Sequence, residues 1–270
     1  MSDLKLAEYI LQHVKAGGRI IEALNQVGPV SVGGERYDTA VGGPFSMPWK
    51  HDSMFNMIYA QANAIERGAW GAYGVEPRAY ILLKMAELAL QCPAGDFVEC
   101  GVFRGGTALL AADVFTKASA QGKFHLFDTF AGVPDADLTN EEKAARIGGS
   151  FDDVSVDETR ENLKKFADFV EFHPGFVPDT FADAGVGKVR YAHIDINTGQ
   201  ATQACLEYLV PRLVDGAVVV LDDYGWPAYV DCKLVTDEYF AEQGLPGVIP
   251  LHTGQAIYIH RTNAERYLNF

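Results

Sequence analysis

From residue 97 onward, short apolar runs alternate with longer amphipathic stretches. Residues 97–102, 124–128, 170–173, 189–196 and 217–222 are rich in Val, Ile and Phe and bounded by Gly, Pro or Asp, which predicts buried strands. Between or after them, residues 106–118, 155–167, 199–213 and 229–243 carry apolar positions at helical spacing. Strand and helix in alternation predict a doubly wound α/β sheet. Residues 248–252 and 256–261 flank Thr253-Gly254-Gln255, so a tight hairpin is expected to close that sheet with an antiparallel strand pair.

Upstream the pattern changes. Residues 4–14, 19–25, 53–67 and 77–91 read as helices, the last begun by Pro77, where a first turn tolerates proline. Residues 28–52 are aperiodic, rich in Gly and Pro, and longer than an ordinary connection. Their Tyr37, Phe45 and Trp49 favour a lid, or an arm packed on a neighbouring subunit, over a solvated linker. The expected organisation is a helical, lid-bearing extension over 1–94 and a sheet domain over 95–270, in a homo-oligomer. Thr139-x-x-Glu142 and Ser155-x-x-Glu158 have the reciprocal capping pattern and mark helix starts. The acidic loop 131–153 is a second lid candidate.

Charge then narrows the partners. With 22 Lys+Arg against 36 Asp+Glu the net charge is −14, and such a surface repels phosphate backbones and anionic lipid. The expectation is a small-molecule substrate, with no nucleic acid and no membrane. No apolar run is long enough to span a bilayer, and Met1-Ser2-Asp3-Leu4-Lys5 lacks the basic-then-apolar order of an export signal, so a cytoplasmic location is expected. Cys92, Cys100, Cys205 and Cys232 lack CxxC spacing and read as buried thiols.

The first strand opens into Glu99-Cys100-Gly101-Val102-Phe103-Arg104-Gly105-Gly106-Thr107. This is GxxxGG, and Phe103 stands where a dinucleotide fingerprint needs its second glycine, which disfavours NAD and FAD. A lysine followed by Ser or Thr is also missing, which excludes a nucleoside triphosphate cradle. A cofactor with an amino-acid end fits better: Glu99 pairs with an ammonium, while Arg104 and the amides at the helix start receive a carboxylate. S-adenosylmethionine has both groups. Asp128 closes the second strand in position for ribose hydroxyls, with Thr129 and Phe130 beside it. The plainer alternative is that Gly105 and Gly106 serve helix packing and Asp128 caps a turn.

These segments are similar to the macrocin O-methyltransferase family, the metal-dependent sugar methylases of macrolide and aminocoumarin biosynthesis. The resemblance rests on residues 98–106, on Asp128-Thr129-Phe130-Ala131-Gly132-Val133-Pro134, on Gly175-Phe176 with Asp179-Thr180, and on Leu221-Asp222-Asp223-Tyr224-Gly225. It covers about residues 95–243 and implies a class I methyltransferase fold, Rossmann-like, with S-adenosylmethionine as cofactor.

Asp195 ends the fourth strand, and Asp222 with Asp223 ends the fifth. Three converging carboxylates repel one another unless a cation neutralises them, and oxygen ligands alone suit magnesium or calcium. The resemblance implies Mg2+ at these three positions. The alternative is that Asp222 and Asp223 cap a helix and face water. In the family the fourth strand runs Asp-x-Asp and its second aspartate is the expected base, whereas this chain has Asn197, which takes no proton. Asp195 acts as base, or His193 or His252 supplies one, or catalysis is altered. A metal-independent methyltransferase and a non-catalytic S-adenosylmethionine-binding module are the corresponding alternatives. Trp226, Tyr224 and Asn197 are the expected walls of the acceptor site.

Overall fold

A computed structural model describes residues 30–32, 35–38, 43–44, 48–134, 138–144 and 151–262. The helices expected over 4–14 and 19–25 lie outside the described residues. The chain divides into two compact units, residues 1–53 and 54–270. Within the first, Val30–Val32, Glu35–Asp38 and Gly43–Pro44 form a three-stranded antiparallel sheet, followed by a short helix, Pro48–His51. The aperiodic reading of 28–52 missed these strands because runs of two to four residues are too short to display a period of two.

In the second unit, helices α1 (Ser53–Ile65), α2 (Ala69–Tyr73) and α3 (Glu76–Ala89) precede the large sheet. Helix α2 was not legible in the sequence; left-handed Gly68 and Gly74 bracket it and cut it to little more than one turn. Seven strands follow: β1 (Asp96–Cys100), β2 (Phe124–Asp128), β3 (Val170–Pro174), β4 (Val189–Ile194), β5 (Leu213–Leu221), β6 (Ile249–Pro250) and β7 (Ala256–Ile259). Their order is β3-β2-β1-β4-β5-β7-β6. Strands β1 to β5 are parallel, and β7 runs antiparallel to both β5 and β6, which is the closing pair the sequence predicts.

Register assigns the two faces. Val98, Cys100, Phe127, Ala192, Ile194, Val219 and Leu221 share a core with Cys205, Leu206 and Leu209 of α7 (Gly199–Leu209) and Tyr239 and Phe240 of α8 (Val230–Glu242). On the opposite face Phe97 stacks on Phe115 of α4 (Gly106–Lys117) with ring centroids 3.7 Å apart. Both faces are therefore covered, as near-continuous apolar strands require.

Two helices end earlier than their periodicity suggests. The stretch 155–167 is α6 (Val156–Asn162) and then a 3-10 turn at Lys164–Phe166. The stretch 199–213 stops at Leu209, where Val210–Arg212 tightens to 3-10 around Pro211, whose ring lacks the N–H a helix needs. One capping box forms in full and the other in half, since Glu158 Oε1 pairs with Arg67. Ser155 Oγ accepts the Glu158 N–H, and before α5 (Asn140–Ala144) Thr139 and Glu142 satisfy each other's amides. Glu142 does more than cap: its other oxygen accepts the Gly199 N–H at 2.8 Å and so ties the start of α7. All four cysteines are free, three are buried, and Cys92 is half-buried. No helix among the described residues is long and apolar enough to cross a membrane.

At the carboxyl edge, Gly101 has φ +88° and a Cβ built there would lie 1.7 Å from the Asp195 carbonyl oxygen. Gly101→Ala is expected to cost more than about 3 kcal/mol in denaturant unfolding. Gly185→Ala, at a left-handed residue with open space around it, should cost only about 1 kcal/mol. Equal costs would show that the close approach is not what requires Gly101.

Candidate active site

A cavity of about 400 Å³ opens beyond the carboxyl ends of β1, β2, β4 and β5. This is where an open parallel sheet presents ligand sites. One wall is the turn after β1, with Gly101, Val102, Phe103 and Thr107, beside Asp128 and Thr129. The other carries Asp195, Asn197, Asp222, Asp223 and Trp226, and the first three helices contribute Glu66, Trp70 and Arg78.

The turn is held by Asp128. Its Oδ2 accepts the N–H groups of Val102 and Phe103 at 2.6 and 2.8 Å, and its Oδ1 accepts the Phe130 N–H at 2.7 Å. Phe103, in the place of the fingerprint's second glycine, adopts φ +50°, a conformation a bulky residue reaches only when its surroundings fix it. Phe103 O accepts from Thr159 Oγ1 at 2.7 Å, and the ring lies under the Arg104 guanidinium, 4.1 Å from centroid to Cζ. Gly105, with φ +90°, then starts α4.

Glu99 and His193 are cross-strand partners in the β1–β4 register and share a face. Both are fully buried. Thr107 Oγ1 donates to Glu99 Oε1 at 2.6 Å, while Glu99 Oε2 has no hydrogen-bond partner and lies 3.6 Å from His193 Nδ1. Thr107 thus stands between Glu99 and the cavity, and the carboxylate at the surface of that wall is Glu66, which follows α1. Glu66 Oε1 accepts the Gly106 N–H at 3.0 Å, the first amide of α4. Burial pushes its carboxyl up to about 7; the Gly106 amide and Arg104 oppose that shift, and Glu99 and Asp195 add to it.

The second acidic group gathers at the ends of β4 and β5. Ligand atoms of His193, Asp195 and Asp222 lie within 4.8 Å of one another. Asp222 accepts from Gln255 Nε2 at 2.7 Å and pairs with the Arg78 guanidinium, while His193 Nε2 lies 3.5 Å away without a hydrogen bond. Arg78 also lies over the Trp226 ring, 5.1 Å from its centroid. Asn197, at φ +64°, where Asn is tolerated better than most residues, donates its N–H to Asp223 Oδ2 at 2.8 Å and its Nδ2 to Asp223 Oδ1 at 3.1 Å. Burial first, then the Asp195 charge, push the Asp223 carboxyl up to about 8. Tyr229, also on the cavity wall, is pushed up to about 12 by burial and by Asp223 and Asp195.

Several expected site residues are placed elsewhere. Arg104 is buried, but Asp153 takes its guanidinium at 2.5 Å and Glu158 lies at 3.6 Å, so it braces α6 and does not line the cavity. Gly105 and Gly106 pack against Leu163 and against Glu66 with Trp70, and Phe130 is buried against Phe172. Tyr224 turns away, giving its hydroxyl to Asp237 at 2.7 Å. His252 is exposed and outside the cavity wall, and only Gln255 of that hairpin reaches Asp222. Conversely Glu66, Arg78 and Gln255 carried no local signal, because each matters only through the partner that folding brings to it.

This strand order, with a glycine turn after β1 and an acid ending β2, defines a class I methyltransferase. The chain belongs to the macrocin O-methyltransferase (TylF) family, whose model matches residues 83–260, and is an S-adenosylmethionine-dependent O-methyltransferase. It is 28% identical over 179 residues, 63% of this chain and 67% of the relative, to 8-demethyl-8-(2,3-dimethoxy-alpha-L-rhamnosyl)-tetracenomycin-C 4'-O-methyltransferase of Streptomyces olivaceus. It is 27% identical over 176 residues, 62% of this chain and 66% of the relative, to demethyldecarbamoylnovobiocin O-methyltransferase of Streptomyces niveus. The matches thus span about two thirds of these relatives' length. Among solved structures, the O-methyltransferase NovP superposes with a TM-score of 0.62 at 25% identity, covering 68% of this chain and 79% of that one.

The Glu66 carboxyl gives the apo protein a pH signature. Its folded pKa is raised from 4.5 to about 7, so the folded state holds a proton there that the unfolded state releases. The associated stability is fully present below about pH 4.5 and is lost as pH rises through 7, in total roughly 3 kcal/mol. Denaturant unfolding from pH 5 to 8 should show a flatter profile for Glu66→Gln than for wild type. Parallel profiles would show that Glu66 does not titrate in this window.

Proposed function

We propose that the chain methylates a hydroxyl on the sugar of a glycosylated natural product, with a divalent cation, best Mg2+, at Asp195, Asp222 and Asp223. The observation that carries this reading is that one cavity joins the turn after β1 to those three carboxylates and to Trp226, whose exposed ring suits the face of a sugar. The relatives' printed names, which include a methyltransferase for a rhamnosyl tetracenomycin, support the acceptor class.

The residues fit both groups. Glu66 and Glu99 place two carboxylates near the start of α4, one raised in pKa and one with an orphaned oxygen, an arrangement that favours an ammonium. Asp223 is held at an elevated pKa by burial and Asp195, which is how an acidic cluster behaves before a cation joins it. When bound, S-adenosylmethionine supplies the electrophilic methyl and Mg2+ lowers the pKa of a coordinated hydroxyl. Glu66 then holds the amino-acid end, Thr107 keeps Glu99 in place behind it, and Trp226 with Arg78 orients the acceptor. Asp195 receives the hydroxyl proton, since among the described residues its carboxylate accepts no hydrogen bond, whereas His193 is sealed between Glu99 and Asp222. Asn197 fixes Asp223 through two donated hydrogen bonds, the second of which an aspartate at 197 lacks the donor to make.

A metal-independent reaction is the second reading, favoured by one contact: Arg78 already supplies a cation to Asp222. Turnover of a rhamnoside acceptor with and without chelator separates the two. Chelator-resistant turnover would support Arg78 as the resident cation and remove Mg2+.

Asp222→Asn and Asp223→Asn should lower turnover by on the order of 100-fold while calorimetric binding of S-adenosylmethionine changes little. Asn197→Asp should also lower it, by placing a like charge against Asp223. Unchanged kinetics in all three would show that these carboxylates stand apart from the chemistry. A homo-oligomer is part of the same proposal, resting on the aromatic content of residues 28–52, and a monomer in light scattering at micromolar concentration would overturn it.

A further inference from the structure

A second cluster of metal-ligand type lies outside the cavity wall, on strands β2 and β3. His125 and Glu171 are direct partners in the parallel register, as are Phe127 and His173, so all four side chains share one face. His125 Nδ1 and His173 Nε2 are 3.0 Å apart, Glu171 Oε2 is 3.8 Å from the same Nδ1, and the three ligand atoms lie within 4.8 Å of one another. Two nitrogen or oxygen ligands of a tetrahedral zinc ion, each about 2.0 to 2.1 Å from it, are separated by about 3.3 Å. The two separations from His125 Nδ1 bracket that value.

The surroundings are those of a ligand set. His125 Nε2 faces Asp96 Oδ2 at 3.6 Å, and Asp96 is pinned by the Lys123 and Gly187 N–H groups at 3.0 and 2.8 Å. A carboxylate behind the far nitrogen is what orients a metal-binding imidazole, while the near nitrogen shares a hydrogen bond with His173 Nε2 whose proton an incoming ion would displace. His173 is fixed from its other side by stacking on Phe127, with centroids 4.5 Å apart and planes 18° apart. Burial holds both imidazoles below their usual pKa. His125 is buried, whereas Glu171 and His173 are half-exposed on an edge strand, which leaves water to complete the shell.

We propose that His125, Glu171 and His173 bind a zinc ion that clips the edge strand β3 to β2. Two imidazoles and one carboxylate select a borderline cation such as Zn2+ over Mg2+.

Full-length protein stripped with EDTA and dialysed is titrated calorimetrically with ZnCl2, alongside His173→Gln, Glu171→Gln and Asp195→Asn. The expected result is one zinc per chain that is lost in His173→Gln, weakened by more than about tenfold in Glu171→Gln, and retained in Asp195→Asn. Equal zinc binding in wild type and His173→Gln, loss in Asp195→Asn alone, or no binding to the wild type would each overturn the proposal. Zinc-edge anomalous diffraction from wild-type crystals decides the case without any variant. A peak between His125 and His173 supports the site, and its absence there refutes it.

Discussion

The contact on which the site depends is between two stretches of backbone, Gly101 after β1 and Asp195 after β4, which leave no room for a Cβ between them. Their hydrogen bonds continue the ladder past the strands: Asp195 donates its N–H to Cys100 O at 2.8 Å, and Gly101 donates to Phe127 O at the same distance. Because the three strand ends are locked this closely, the chain leaving β1 must bend away sharply. That bend is the turn closed by Asp128, and the same locking delivers Asp195 to the rim. One glycine therefore positions both the turn that lines the cavity and one member of the acidic group.

The buried row running from Glu99 through His193 to Asp222, with Arg78 and Gln255 beyond, shows how the sheet connects the two halves of the cavity. Charges removed from water are costly unless paired; Asp222 is paired with Arg78 and Gln255, whereas Glu99 Oε2 and both His193 ring nitrogens lack a hydrogen bond. The row runs from Glu99 on β1 to its register partner His193 on β4 and on to Asp222, the residue after β5. Arg78, from α3, closes the row and also lies over the Trp226 ring.

The family's second aspartate on the fourth strand is absent, and the structure gives Asn197 a different task. Its left-handed backbone and its two donated hydrogen bonds make it a brace for Asp223. An amide that only donates to a carboxylate stabilises the anionic form of a group that burial otherwise keeps protonated. The substitution leaves the acidic group assembled.

By itself the sequence determined the layered architecture, because strand and helix leave different periods and the crossover rule for parallel strands admits few arrangements. It also marked the glycine turn, the acid ending β2 and the three aspartates, since each stands at a strand end where a short motif is visible. It did not reveal Glu66, Arg78 or Gln255, nor that Arg104, Tyr224 and His252 lie off the cavity. A polar side chain's role depends on what faces it, and those partners come from other segments, as with Glu66 at Gly106, 40 residues away, and Gln255 at Asp222, 33 residues away. Likewise His125, Glu171 and His173 are unremarkable in one dimension and form a cluster only through the β2–β3 register. Local pattern encodes elements, whereas the pairing of charges across the sheet exists only once those elements have docked.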